Sequence, residues 1–155
     1  MPTTTVRDLM SSVVETLSVG DNLATARWQL ERGHIRHLPV VDANERVIGL
    51  ITHRRILEAW VSHGHPNRER VRDVAQDVPV EMLMEKNVRT IAPETPAAEA
   101  AALLESHKFG CLPVVDRGKL VGIVTEADFV RFARKYFEWE MHAGAPARGH
   151  GALPG

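Results

Sequence analysis

The chain is poor in cysteine, in tyrosine and in excess charge of either sign. Cys111 is its one cysteine among 155 residues. That excludes an intrachain disulfide and fits a reducing, cytoplasmic setting. Nineteen Lys and Arg stand against 20 Asp and Glu, a formal net charge of −1. Neither an overall basic nucleic-acid binder nor an acidic solvated tail is expected from that balance, although a local basic patch is compatible with it. The longest apolar runs fall far short of the roughly 18 residues of a membrane span, so no membrane partner is expected. The opening Met1–Asp8 has neither the basic nor the apolar region of a signal peptide. No P-loop or Gly-x-Gly-x-x-Gly occurs, and no local motif points to a Ser-His-Asp or Cys-His arrangement, so catalysis is not expected. The eight histidines include the close pairs His34/His37 and His63/His65. Neither pair has an acidic or cysteine ligand at a zinc-like spacing, and no metal is expected.

What the chain does have is an internal repeat. Leu38-Pro39-Val40-Val41-Asp42 returns as Leu112-Pro113-Val114-Val115-Asp116. Gly49-Leu50-Ile51-Thr52 returns as Gly122-Ile123-Val124-Thr125, at an interval shorter by one because the second turn is one residue shorter. Upstream, Val6–Met10 matches Val80–Met84 and Val14–Ser18 matches Val88–Ala92, both at the interval that separates Pro39 from Pro113. A fixed self-match of this kind defines the architecture before any single residue does.

Each copy reads β-α-β-β-α. The runs Val14–Ser18 and Val88–Ala92 are short β-branched strands closed by turns. Asn22 and Thr95 are placed to cap the helices that follow, with Pro96 at the first helical position of the second. Gly33 and the Lys108–Gly110 step end those helices. Leu38–Val41 with Val47–Ile51, and Leu112–Val115 with Leu120–Val124, read as hairpins across turns of suitable chemistry. Thr52 and Thr125 stand where a hydroxyl can cap the closing helices, Arg54–His63 and Ala127–His142. The expected division is repeat one over 6–63, a linker over 64–79, repeat two over 80–142, and a disordered Gly/Pro/Ala-rich tail over 143–155. The fold class is α/β of the α+β kind.

A unit of about 60 residues, a three-stranded sheet under two helices, is marginal alone. Two such units packed about a pseudo-twofold axis bury what each leaves open and form two related clefts at the seam. Clefts between repeats are favoured ligand sites, and a strand entering a helix N-terminus offers amides and a positive dipole end to an anion.

These residues resemble a known family, the tandem cystathionine β-synthase (CBS) domain pair or Bateman module, from about Val6 to Arg134. The likeness rests on the two Leu-Pro-Val-Val-Asp segments and the two Gly-apolar-apolar-Thr segments, in order and with the same upstream elements. It implies a non-catalytic regulatory module that needs no cofactor and binds an adenosine-containing ligand as its regulator. It also implies specific residues. In repeat two Asp128 would accept the ribose hydroxyls, with Thr125 at ribose or phosphate and Ile123 against the base. Ser12 and Val13, within Met10–Val13, would face the base edge, and Ile35 would pack beside it. A carboxylate suits a vicinal diol because it has acceptors enough for both hydroxyls.

Repeat one departs from that pattern. Thr52 is present, but the position of the Asp holds Arg55. Arginine has donors only, so the usual ribose contact is lost there. Arg36, His37 and Arg54 make the segment basic, and Val88 and Phe109 complete its walls. This second cleft is expected to hold phosphates, to extend a polyphosphate site, or to stay empty.

The expected function is a sensor of AMP, ADP or ATP that signals to an unidentified effector protein. Other readings are an S-adenosylmethionine sensor, a constitutive interaction module with empty clefts, and a nucleic-acid binder using Arg36, Arg54 and Arg55. Asp128 and Thr125 could also serve only as a helix cap. Phe129, Phe132, Tyr136 and Phe137 recur along one helical face, read as core or interface, and Trp139 extends the stripe toward self-association as a homodimer.

Overall fold

The computed structural model describes residues 3–62, 75–107 and 109–144. Most of the expected linker (64–74) and nearly all of the expected tail (145–155) lie outside them. The elements in order are α1 (Val6–Leu9), β1 (Leu17–Ser18), α2 (Leu23–Gly33), β2 (His37–Val41), β3 (Val47–Thr52) and α3 (His53–Ser62). A 3-10 turn at Val80–Met82 precedes α4 (Ala97–His107), β4 (Cys111–Asp116), β5 (Lys119–Thr125) and α5 (Glu126–His142).

Both hairpins form. Pro39 pairs with Leu50 across the first and Pro113 with Ile123 across the second. Proline donates no backbone hydrogen bond, and a strand tolerates it only where none is needed. Here the residues opposite do not ask for one. The Leu50 and Ile123 amides point away from their hairpins and donate to the carbonyls of Glu85 and Ser11, at 3.0 Å each. The first turn is held by Asp42, whose Oδ1 accepts from the amides of Asn44 (2.8 Å) and Arg46 (3.0 Å). The second places Arg117 and Gly118 at φ of 51° and 80°, as a tight two-residue hairpin turn demands.

Three local expectations are corrected. The first repeat has the three-stranded sheet, β1 parallel to β2 and β2 antiparallel to β3. Among the described residues the second has the β4–β5 pair alone, and the expected strand at Val88–Ala92 shrinks to a single bridge from Ile91 to Val114. The Ile91 amide donates to Pro113 and its carbonyl accepts from Val115. Thr95 does not cap α4 by its side chain. The helix starts at Ala97, the Pro96 carbonyl accepts from Glu99 and Ala100, and the Thr95 carbonyl is taken by the Val6 amide at 2.9 Å. Gly33 remains helical, and the left-handed residue that ends α2 is His34, at φ 50°. Asn22 does cap α2, its Oδ1 accepting from the Thr25 amide at 3.0 Å.

The lead-in segments are exchanged between the repeats. Val6 and Leu9 of α1 lie in the core of the second repeat, with Ile91, Leu112, Val114 and Val124. Val78, Val80 and Leu83 lie in the core of the first, with Leu17, Leu38 and Ile51. The hydrogen bonds follow the same repeat. Val6 donates to Thr95 as Val80 does to Asp21, and Ala97 donates to Thr4 as Leu23 does to Val78, all within 2.8–2.9 Å. Each core is therefore completed by a segment from the other half of the chain. This supplies buried apolar surface that about 60 residues could not provide alone. The two hairpin turns meet at the pseudo-twofold axis, where the Leu120 amide donates to the Glu45 carbonyl at 3.0 Å and Lys119 lies 3.6 Å from Glu45. Among the described residues, no helix is long and apolar enough to cross a membrane.

Candidate functional site

The crossed lead-ins pack against the motif strands, and the second of them, Met82–Glu85, lines the cleft over the first repeat. Ser11 lies against β5 and Glu85 against β3, each through paired backbone hydrogen bonds of 2.8–3.0 Å. The motif glycines make this possible. A Cβ at Gly122 would fall 2.6 Å from Met10 Sδ and 2.9 Å from the Ser11 carbonyl oxygen, and one at Gly49 would overlap Met84. A side chain on either glycine would thus push away the lead-in packed over it. Gly122→Val is expected to cost about 1–3 kcal/mol of stability by overpacking. Chemical denaturation would measure it. A loss under about 0.5 kcal/mol would mean that Met10 and Ser11 move aside freely.

The cleft over the second repeat is a cavity of about 730 Å³. Ile123, Thr125 and Arg131 form one side and the His34–His37 segment of the first repeat forms the other. Asp128 stands behind Thr125, 8% exposed. Its Oδ2 accepts from the Thr125 amide at 2.8 Å and from the Thr125 hydroxyl at 3.2 Å, and its Oδ1 accepts from Arg131 at 2.8 Å. This closes the N-terminus of α5 with a carboxylate, favourable both as a cap and against the helix dipole. Ser12 and Val13 run out into solvent, Val13 being 86% exposed, while Met10 packs over Gly122 and Ser11 pairs with Ile123. Ile35, Ile123 and Thr125 share the cavity, whereas Asp128 reaches it only through Thr125 and Arg131.

The cleft over the first repeat is a cavity of about 530 Å³. His37, Thr52, Arg55, Val88 and Phe109, named from the sequence for this place, all line it. Arg36 instead faces the larger cleft and an adjoining groove of about 830 Å³ between α2 and α3, where Arg54 also lies. Phe109 stacks on His107, with centroids 5.3 Å apart. It occupies the place that Ile35, its counterpart in the first repeat, takes in the other cleft. Arg55 lies 3.8 Å from Glu58, and its amide donates to the Thr52 hydroxyl at 3.2 Å.

His37 lines both clefts, and its ring occupies the space that a Cβ on Gly110 would need. Burial, helped by Arg36 and opposed by Glu126, holds its imidazole below the ordinary histidine range, so the neutral ring is favoured. The thiol of buried Cys111 is pushed up to about 12 by desolvation. It is a packed hydrophobe in β4 rather than a nucleophile. No group of three or more His, Cys, Asp or Glu is placed to hold a metal ion among the described residues.

Sequence reasoning missed Arg131, Arg89 and Met84, and it named Met10 without placing it over a motif glycine. The methionines had a signal, since Met10 and Met84 are themselves a repeat-related pair. Arg131 had a weaker one, its i+3 spacing from Asp128 on a helix.

The CBS domain family model matches residues 6–62 and 74–135. A CBS domain-containing protein of Dictyostelium discoideum is 34% identical over 136 residues, covering 86% of this chain and 93% of that protein. An A-adding tRNA nucleotidyltransferase of Geobacter sulfurreducens is 33% identical over 131 residues, 84% of this chain, but the match spans only 14% of that enzyme. The crystal structure of a candidate acetoin utilization protein (AcuB) from Vibrio cholerae superposes with a TM-score of 0.78 at 33% identity, covering 94% of this chain and all of that one. The structure of CBSX2 in complex with AMP superposes with a TM-score of 0.72 at 28% identity, covering 86% of this chain and 98% of that one. The CBS domain pair of protein MJ0100, in complex with 5′-methylthioadenosine and S-adenosyl-L-methionine, gives 0.72 at 27%, covering 87% and 99%. With both repeats matched and the crossed lead-ins in place, the chain belongs to the CBS domain family as a tandem pair, a family of ligand-binding regulatory modules.

Proposed function

We propose that this module senses an adenine nucleotide, AMP, ADP or ATP, in the cleft over the second repeat. The observation that carries the reading is the pair Thr125 and Arg131, both bonded to Asp128 behind them, set opposite Arg36 across a cavity of about 730 Å³. An acceptor for sugar hydroxyls stands beside two cations suited to phosphate, with Ile35 and Ile123 to sandwich a base. That the related CBSX2 was crystallised with AMP supports the choice of ligand. The two arginines disfavour the sulfonium of S-adenosylmethionine, although protein MJ0100 was crystallised with that ligand.

Binding would act by favouring one arrangement of the crossed repeats over another, and the change would pass to an effector protein. The outer face of α5 carries Phe132, Tyr136, Phe137 and Trp139, the last 62% exposed. An apolar face of this kind fits association into a homodimer. Calorimetric titration of the native chain with AMP, ADP, ATP and S-adenosylmethionine tests the reading. Micromolar binding of one nucleotide is the expected result. Preference for S-adenosylmethionine would move the ligand class. No heat with any of them would favour a module that only joins proteins.

A further inference from the structure

The pseudo-twofold axis makes the two clefts comparable residue by residue, and at one position their chemistry is inverted. Thr125 and Thr52 are equivalent, and so are Asp128 and Arg55. In the second repeat the Thr125 amide donates to the Asp128 carboxylate at 2.8 Å. In the first repeat the Leu50 amide donates outward to Glu85. Thr52, two residues further along the same strand, aims its amide to that same edge. No carboxylate accepts from it among the described residues, because residue 55 brings a guanidinium instead. Arg89 lines the same cavity, as does His37. Against these donors stand Glu85 in the cavity wall and Glu58, which lies 3.8 Å from Arg55 and 3.0 Å from Arg54. Phe109 offers a flat aromatic wall, and the volume of about 530 Å³ is that of a small-molecule site.

We infer that the cleft formed by Thr52, Arg55, Arg89 and Phe109 takes a nucleotide phosphorylated on a sugar hydroxyl (2′ or 3′) rather than one with a free diol. The inference rests on the nucleotide reading of the second cleft and assigns a different ligand class to the first. Arginine accepts nothing from a diol but grips a phosphate with two parallel donors. An acidic residue serves a free ribose hydroxyl and an arginine its phosphate ester in dinucleotide sites of another fold, for the same reason. The two clefts would then report on two nucleotide pools at once.

The test is titration of the native chain, Arg55→Asp and Asp128→Ala with AMP, adenosine 2′,5′-bisphosphate, adenosine 3′,5′-bisphosphate and pyrophosphate. Arg55 is half-exposed, and an acidic residue in the first turn of α3 suits the helix, so Arg55→Asp folds. One bisphosphate should bind at least about tenfold more tightly than AMP to Asp128→Ala, in which only the first cleft is intact. Arg55→Asp should lose that preference while its second cleft still binds AMP. Bisphosphate affinity within about twofold of native in Arg55→Asp overturns the inference. Pyrophosphate competing as well as the nucleotides overturns it too, since charge alone would then suffice. AMP binding to the native chain without either bisphosphate sinks the inference and leaves the second-cleft reading standing. Absence of all nucleotide binding sinks both.

Discussion

Leu112→Ala is expected to destabilise the protein by about 2–5 kcal/mol, the usual cost of removing a buried leucine and leaving a cavity. Leu112 is fully buried in the second core, between the crossed α1, α4 and the β4–β5 hairpin. That core has a two-stranded sheet and draws Val6 and Leu9 from the far end of the chain. It has little secondary structure with which to close over a void. Its counterpart Leu38, also fully buried, sits on the central strand of a three-stranded sheet in the larger cluster. Leu38→Ala should fall in the same range but toward its lower end, because more neighbours surround the site and can relax into it. Denaturant melts of both variants would measure the costs as shifts in midpoint. A cost below about 1 kcal/mol for Leu112→Ala would mean that the second core is not packed as described.

Asp128→Ala should show two losses in separate measurements. Without ligand, stability should drop by about 0.5–2 kcal/mol, the value of a helix cap, since the Thr125 amide and hydroxyl lose their acceptor at the start of α5. With ligand, nucleotide affinity should fall at least about tenfold, through the lost acceptor and through Arg131, which loses the carboxylate that positions it at 2.8 Å. Asp128→Asn separates the roles, because the amide oxygen can still cap while the charge that orients Arg131 is gone. If Asp128→Asn recovers the melting temperature but not the affinity, the carboxylate acts on ligand. If both variants melt lower and bind AMP as the native chain does, Asp128 is a structural cap alone. In that case the ligand is held by Arg131 and Arg36.

Much of the candidate site was legible in the sequence for a simple reason. Thr52, Arg55, Val88 and Phe109 come together in one cavity because the repeat implies an axis, and an axis implies which segments face each other. Arg36 reads as part of the same basic segment as Arg54 and Arg55. It faces the other cleft because His34 turns the chain with a left-handed residue at the end of α2, which periodicity does not reveal. Alignment puts Ser12 and Val13 at the base edge, whereas both stand exposed, since the segment pairs with β5 at Ser11 and then departs.

By itself the sequence determined the two repeats, their hairpins and closing helices, and the inversion of Asp128 and Arg55. These follow from local chemistry, the spacing of apolar residues and the turn residues, which act over a few positions and are written in order along the chain. Tertiary structure alone decided the exchange of α1 and the Val80 turn between cores. It also decided the reduction of one strand to a bridge at Ile91 and the placing of Arg36 in the cleft over the second repeat. Those outcomes depend on which buried surfaces and unpaired amides meet between segments that lie far apart along the chain. That competition is settled by packing and hydrogen-bond satisfaction in three dimensions.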